Sequence, residues 1–155
     1  MVITGALLGA MPASAATWTY SANQCVSTGI LDTRDSWLRY WGNSTITTFN
    51  YEVQVACPAM QQGGSTLATV TGRKWYSTDT LTCKLIVADA FGGNVHTTAA
   101  ITVTAGSSTP FTLDLTAGTP YPFSYAGGSK VIACKIPHAL MDNAGELYTY
   151  TVTEL

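Results

Sequence analysis

The sequence predicts an all-β protein built as a two-layer antiparallel β-sandwich. Threonine is abundant, with 25 residues against 3 Glu and 4 Lys, and Thr, Val and aromatic residues favour half-buried pleated surfaces. Apolar and polar residues alternate with a period of two along the chain, whereas helical periodicity does not recur. Turn-forming residues interrupt these segments at short intervals. This pattern predicts eight or nine strands connected as in a jelly roll or Greek key.

The strands follow in order from this alternation and from the residues that end each segment. Pro58 closes the longest run, and Gly-Gly pairs at 63–64, 92–93 and 127–128 mark reversals where a positive φ is needed. Residues 118–122 are not expected to form a central strand, because Pro120 and Pro122 lack the backbone N–H that donates to a neighbouring strand. Residues 138–147 allow no more than a turn of helix. The predicted strands are 18–26, 37–41, 46–57, 67–76, 80–89, 95–104, 111–115, 131–136 and 147–153.

The composition excludes several other classes of protein. Only 10% of the residues are charged, which is too few for a coiled coil or a helical bundle. A hydrophobic content of 46% with a net charge of −2 is not typical of disorder. Seven basic against nine acidic residues do not form the excess that phosphate contacts need, so we expect no nucleic-acid partner. A chain of 155 residues without repeats or linkers predicts one domain with one core.

The N-terminal segment predicts a signal peptide at residues 1–15. Residues 2–11 form an apolar run too short to span a bilayer, and Ala13-Ser14-Ala15 has the small-x-small form of a signal-peptidase site. Cleavage after Ala15 leaves a domain of residues 16–155. Because no basic residue precedes the run, we expect a translation start upstream of Met1; the alternative is an ordinary apolar strand or helix. No second apolar stretch suits a transmembrane segment, and we expect a secreted, periplasmic or cell-surface protein.

Four cysteines in such a protein predict two disulfides, Cys25–Cys57 and Cys83–Cys134. Sequence alone does not choose among the three possible connectivities, but Cys83 and Cys134 each alternate in phase with core residues of late strands. Cys57 continues the apolar face of the strand at 46–57, which favours its bridge to Cys25. No C-x-x-C pair or other close set of ligands is present, so we expect neither a metal site nor a cofactor.

Four short motifs carry a resemblance to other sequences. They are Cys25-Val26, Cys57-Pro58, Thr82-Cys83-Lys84-Leu85 and Cys134-Lys135-Ile136-Pro137. Together with the signal sequence, their order resembles small secreted two-disulfide β-proteins found as uncharacterised sequences in myxobacteria and related bacteria. The resemblance implies the β-fold and the secreted compartment. It implies no activity and no functional residue.

The residues that catalysis requires form no motif in this chain. There is no G-x-S-x-G nucleophile elbow, and Gly127-Gly128-Ser129-Lys130 lacks the spacing of a phosphate loop. His96 is predicted to be exposed on its strand, and His138 follows a strand end; neither lies near an acid cluster in the sequence. We therefore expect no catalytic residue.

The aromatic residues are the candidate binding residues. Trp37 and Trp41 share one face of a predicted strand, with Arg39 between them, and Trp75 lies beside Tyr76 on another. Flat aromatic rings beside Asn, Gln and Thr form a surface on which sugar rings stack. The alternative is that Trp37 and Trp41 cover the end of the core, since large aromatic residues are mostly packing elements.

The sequence therefore predicts a secreted, non-enzymatic binding or adhesion module whose partner is a polysaccharide or a cell-surface glycan. One alternative is a structural surface or coat protein that acts by self-association through bare strand edges. An extracellular hydrolase ranks last, because it needs a cleft with a convergent acid–base pair. The oligomeric state is not predicted.

Overall fold

Two antiparallel sheets packed face to face form the described part of the chain. The computed structural model describes residues 15–28, 39–41, 45–47, 53–59, 66–74, 80–89, 91, 93–103, 107–117, 129–137 and 145–154. The first sheet has the order β10-β6-β12-β4-β3, with β1 also paired with β12. The second has the order β2-β5-β11-β7-β8, with β9 also paired with β7. The strands are β1 Ala16–Ser21, β2 Val26–Ser27, β3 Arg39–Trp41, β4 Thr45–Thr47, β5 Val53–Ala59, β6 Thr66–Lys74, β7 Leu81–Ala88, β8 Asn94–Thr97, β9 Ile101–Val103, β10 Ser107–Asp114, β11 Ser129–Ile136 and β12 Gly145–Glu154.

This architecture confirms the predicted all-β sandwich. From β5 to β7 the chain changes sheet at each connection, and it does so again from β9 to β12, as in jelly-roll and Greek-key sandwiches. The described strands number twelve rather than eight or nine, because three predicted strands are each divided into two. The predicted strand at 46–57 is one of them: β4 joins the first sheet and β5 the second.

The other two divided strands have visible local causes. A 3₁₀ turn at Ala22–Gln24 separates β1 from β2, and Ser21 caps it by accepting from the Asn23 N–H at 3.4 Å. Between β8 and β9, the hydroxyl of Thr98 accepts from the Leu85 N–H at 2.9 Å in place of a backbone carbonyl. This contact buries Thr98, although Thr98 alternates in phase with His96, which is exposed as predicted.

Strand β5 continues through Pro58 to Ala59, two residues beyond the predicted end at Cys57. Among the described strands, β2 pairs only with Val55 and Ala56, so Pro58 has a strand on one side alone. Proline is tolerated at such edge positions, because no ladder bond is lost on the open side.

The core lies between the inner faces of the two sheets. Alternate residues of β5, β6, β7, β11 and β12 are buried, and most of their neighbours are exposed or half-buried, which is the period-two pattern of a sheet with one wet face. The largest fully buried side chains are Tyr150, Leu81, Leu85, Leu115, Ile132, Ile136, Leu147, Val53, Val55, Val70 and Val87.

Both predicted disulfides are confirmed, and both belong to the second sheet. Cys83 and Cys134 face each other directly across the β7–β11 pair and are buried. Cys25, which follows the 3₁₀ turn, is bonded to Cys57 on β5. No cysteine is free.

Two polar contacts connect the sheets through the core. The Lys130 ammonium on β11 lies 2.7 Å from a carboxylate oxygen of Glu154 on β12, and the two side chains are 2% and 6% exposed. The Tyr150 hydroxyl on β12 donates to the carbonyl of Pro58 on β5 at 2.6 Å. Its ring also stacks on Tyr20 of β1, with centroids 4.9 Å apart.

Strands β1 and β12 pair over their whole common length, from Ala16 opposite Glu154 to Ser21 opposite Thr149. On the other side of β12, β6 pairs with it from Glu154 back to Gly145, with a register shift between Leu147 and Thr149. The pairing of β1 with β12 therefore places the first described strand beside the last one.

We expect alkaline pH to destabilise the fold through Tyr150. Burial, followed by the charge of Tyr20, raises the pKa of Tyr150 from 10.0 to about 12. The unfolded chain thus loses this proton near pH 10, while the folded chain holds it to about pH 12. The contribution of Tyr150 to the free energy of unfolding is fully present below pH 10. It falls by up to about 2–3 kcal/mol between pH 10 and pH 12. Urea unfolding at several pH values measures this fall.

The matched variants are Tyr150→Phe and Tyr148→Phe. Because the pKa of Tyr148 is raised as well, Tyr150→Phe should reduce the alkaline loss by about 2–3 kcal/mol rather than abolish it, although it costs about 1 kcal/mol at neutral pH through the lost hydrogen bond. Tyr148→Phe leaves the Tyr150 contribution in place. If Tyr150→Phe keeps the full loss between pH 10 and 12, the prediction is wrong.

Candidate functional site

The predicted aromatic site falls largely beyond the described residues. Trp37 and Trp75 lie outside them. Arg39 and Trp41 belong to β3, where Arg39 pairs with Thr47 and Trp41 with Thr45, but their side chains lie outside the described part. The pairing places β3 in the first sheet. The aromatic platform of Trp37, Arg39, Trp41 and Trp75 therefore stays a prediction.

A polar cluster on the first sheet lies in register with β3. Glu146 pairs with Arg73 on one side and with Thr47 on the other, and Thr47 pairs in turn with Arg39. The Tyr148 hydroxyl donates to a Glu146 carboxylate oxygen at 2.6 Å, and the Arg73 guanidinium lies 5.9 Å from the centre of the Tyr148 ring. Burial, followed by the bond to Glu146, raises the pKa of Tyr148 to about 12. Within this cluster, the Tyr148 hydroxyl and the Glu146 carboxylate are hydrogen-bonded to each other.

Close packing around Gly72 holds the neighbouring backbone against β12. A Cβ atom at this position would meet the carbonyl of Glu146 and lie 2.8 Å from the ring of Phe111. Only glycine leaves room for both neighbours, so Gly72 lets the β12 backbone and Phe111 approach β6 closely at Glu146.

The outer face of the first sheet carries threonine ladders. Across β1 and β12, the hydroxyls of Thr17 and Thr153 lie 2.9 Å apart and those of Thr19 and Thr151 lie 3.1 Å apart. Across β6 and β12, the hydroxyl of Thr71 lies 2.6 Å from that of Thr149. Each of these hydroxyls is hydrogen-bonded to the hydroxyl opposite it on the neighbouring strand.

The outer face of the second sheet is built differently, from three rows of side chains that cross the strands. Directly opposite residues of antiparallel strands point to the same face, and these positions alternate with the buried ones. The first row is polar: Thr28, Gln54, Lys135, Thr82 and Thr102. The second row has small residues ending at a lysine: Val26, Ala56, Ala133 and Lys84. The third is mostly apolar: Pro58, Val131, Ile86 and Thr97.

The first two rows surround a depression with a volume of about 250 Å³, which we call the outer-face depression. The alanines leave space because they end at Cβ, while longer side chains rise around them. Val55 and Cys134, which are inward-facing residues of β5 and β11, form the floor of the depression. The other residues that line it are Thr28, Gln54, Thr82, Lys84, Ala100, Ala133 and Lys135. The disulfide at Cys134 thus supports the centre of this surface from below.

Two of the residues that line the outer-face depression are lysines, Lys84 and Lys135. None of the four carboxylates in the described part of the chain lines it. Asp89 accepts from the Gly93 N–H at 2.8 Å in the turn after β7, and Asp114 accepts from Thr116. The other two carboxylates, Glu146 and Glu154, are bonded to Tyr148 and Lys130.

We did not predict the outer-face depression from the sequence. Each of its residues is an ordinary polar or small residue on the exposed phase of a strand, and only the strand register brings them together. The one local signal is the alternation in Thr82-Cys83-Lys84 and Cys134-Lys135, which places the polar residues opposite the disulfide.

No catalytic or metal arrangement is found within the described ranges. His96 is exposed on β8, and His138 lies outside those ranges. The same ranges contain no group of three or more His, Cys, Asp or Glu side chains placed to hold a metal ion. They also contain no helix with the length and apolar content of a membrane span.

Comparison with known proteins shows similarity at the level of the fold. No protein-family model matches the chain, and no curated protein matches its sequence. The chain is similar to the xylan-binding module CBM15, with a TM-score of 0.51 and 10% identity over 91% of this chain and 97% of that one. It is also similar to the CBM36-1 domain of a multidomain xylanase from the hindgut metagenome of Trinervitermes trinervoides. There the TM-score is 0.50 and the identity 9%, over 88% of this chain and 96% of that domain.

Proposed function

We propose that this protein is a secreted, non-catalytic carbohydrate-binding module that holds a polysaccharide in the outer-face depression. The observation that carries the proposal is the combination of a polar row and a small-residue row on one exposed sheet face. The Gln54 amide provides a donor and an acceptor for sugar hydroxyls. The Thr28 hydroxyl donates to the Gln54 backbone carbonyl at 3.4 Å and the Thr82 hydroxyl lies 3.2 Å from that of Thr102, so their oxygens act chiefly as acceptors toward a ligand. The paired disulfides are typical of proteins in oxidising compartments, which supports secretion.

The dimensions of the surface fit an extended chain better than a small enclosed ligand. Its first row has five residues across the sheet, and at about 4.8 Å between strands it extends for about 19 Å. The volume of about 250 Å³ is small beside ligand pockets, which typically reach about 300–1,000 Å³. A polysaccharide that lies along the rows would contact the depression with a few sugar units, while the apolar third row meets their C–H faces.

The similarity in fold supports the same proposal. One similar structure is a xylan-binding module, and the other is a module of a xylanase. Both are matched almost over their full length, so the comparison concerns a whole module rather than a shared substructure. We take from it the class of ligand, a polysaccharide, and derive the binding surface from this chain's own residues.

Self-association through sheet edges has less support. In the described part of the chain, β2, β3, β8 and β9 each pair with a single strand and have only two to four residues, while β1, which pairs only with β12, has six. Strand β10 at the end of its sheet order is longer, but it contains Pro110 and a register shift between Ser107 and Phe111. Short, irregular or proline-containing edges oppose pairing between molecules.

Replacing Gln54 and Thr82 together by alanine should weaken polysaccharide binding about tenfold, because each change removes a hydrogen-bonding group from the depression. Affinity gel electrophoresis with soluble xylan and mannan identifies a retarding polymer, and titration calorimetry then measures the affinity. Thr112→Ala is the matched control, since Thr112 is an exposed threonine on the first sheet.

The aromatic hypothesis is tested in the same assay by Trp37→Ala/Trp41→Ala. If this variant loses binding and the Gln54/Thr82 variant does not, the proposed surface is wrong and the site belongs to the first sheet. If no polysaccharide retards the folded wild-type protein, the proposed function is itself contradicted.

A further inference from the structure

We infer that the polysaccharide bound in the outer-face depression carries carboxylates, as uronic acid units do. This inference rests on the proposed function and adds the chemical class of the ligand. It follows from where the chain places its lysines and its acids.

The four lysines of the chain divide sharply between core and depression. Lys74 and Lys130 are each 2% exposed, and Lys130 is paired with Glu154. Lys84 and Lys135 are the other two, and both line the outer-face depression. A protein of net charge −2 thus presents all of its lysines that are not buried on a single concave surface.

The register places these two lysines close together on one face of the sheet. Lys84 lies opposite Ala133, and Lys135 lies opposite Thr82, so the lysines are diagonal neighbours on β7 and β11. Diagonal neighbours are about 7–8 Å apart at the backbone, and long side chains reach across that distance. Ala133 lies between them and ends at Cβ. An anionic group that rests on Ala133 would therefore meet both lysines.

The surrounding groups favour a sparse anion on a sugar chain over a dense polyanion. Gln54, Thr28 and Thr82 next to the lysines suit sugar hydroxyls. Two lysines are too few to follow the regular phosphates of a nucleic acid, whose binding needs many basic contacts. A carboxylate attached to a sugar ring would contact the lysines, while the hydroxyls of the ring would bond to the polar side chains beside them.

The test compares polygalacturonate with its fully methyl-esterified derivative, which keeps the sugar chain and removes the charge. We expect wild-type protein to bind polygalacturonate at least tenfold more tightly. Lys84→Gln/Lys135→Gln should remove this preference, and Lys84→Arg/Lys135→Arg should retain it, because arginine keeps the charge. Raising the ionic strength from about 0.1 M to about 1 M should reduce the preference, since screening shortens from about 10 Å to about 3 Å.

Two further probes, dextran sulfate and duplex DNA, separate carboxylate recognition from general polyanion binding. Equal or tighter binding to either would overturn the inference. Equal binding to polygalacturonate and its ester would also overturn it, while leaving the proposed function intact. Absence of binding to every polysaccharide, in protein shown by circular dichroism to be folded, would contradict both.

Discussion

Replacing Glu154 by glutamine is expected to lower the free energy of unfolding by about 3–5 kcal/mol, because it leaves the buried Lys130 ammonium without its counter-charge. The two groups lie 2.7 Å apart between the sheets and are almost fully buried. Glutamine keeps the size of the side chain, so the loss measures charge rather than packing. Urea unfolding followed by tryptophan fluorescence at neutral pH provides the measurement.

The double variant Lys130→Met/Glu154→Leu is the control for this ion pair. Removing both charges together leaves no unpaired group, and well-packed apolar replacements of buried ion pairs are often neutral or stabilising. We therefore expect the double variant to be clearly more stable than Glu154→Gln. If Glu154→Gln unfolds at the wild-type urea concentration, the ion pair does not contribute as argued.

Replacing Cys83 and Cys134 together by alanine is expected to destabilise the fold by about 2–5 kcal/mol. This bridge closes a segment with a sequence separation of 51 between two paired strands of the second sheet. Its loss enlarges the conformational freedom of the unfolded chain and removes two buried sulfur atoms from the core. Thermal unfolding under oxidising conditions measures the change.

The Cys25→Ala/Cys57→Ala variant is the matched comparison. Its bridge spans a separation of 32, so chain entropy predicts a loss that is smaller by only a few tenths of a kcal/mol. Any larger difference between the two variants reports packing around the bridges rather than chain entropy. Wild-type stability of the Cys83/Cys134 variant would contradict the prediction.

Local alternation was sufficient to predict the fold class and the disulfides. Cys83 and Cys134 lie in phase with buried leucines and isoleucines, and the structure places them directly opposite each other. The same alternation places Lys130 in phase with Ile132, a sign that this lysine faces the core. The partner Glu154 was not predictable, because its contact with Lys130 depends on how two sheets pack rather than on either strand alone.

The strand boundaries and the candidate surface depend on interactions distant in sequence. Alternation continues through Thr98, and only the bond between its hydroxyl and Leu85 shows why β8 ends there. Likewise, Gln54, Thr82 and Lys135 are adjacent because of register across three strands, which alternation within one strand does not determine.

The pairing of Ala16 with Glu154 has a mechanical consequence. Tension applied at these two positions would act at one end of the β1–β12 ladder, so its hydrogen bonds would break one after another rather than together in shear. Once both strands had peeled away, the shortest covalent path would run from Cys25 to Cys57, along residues 57–83, and from Cys83 to Cys134. Residues 26–56 and 84–133 would carry no load. Six of the nine residues that line the outer-face depression lie on these shielded segments, whereas Thr82, Cys134 and Lys135 lie on the loaded path.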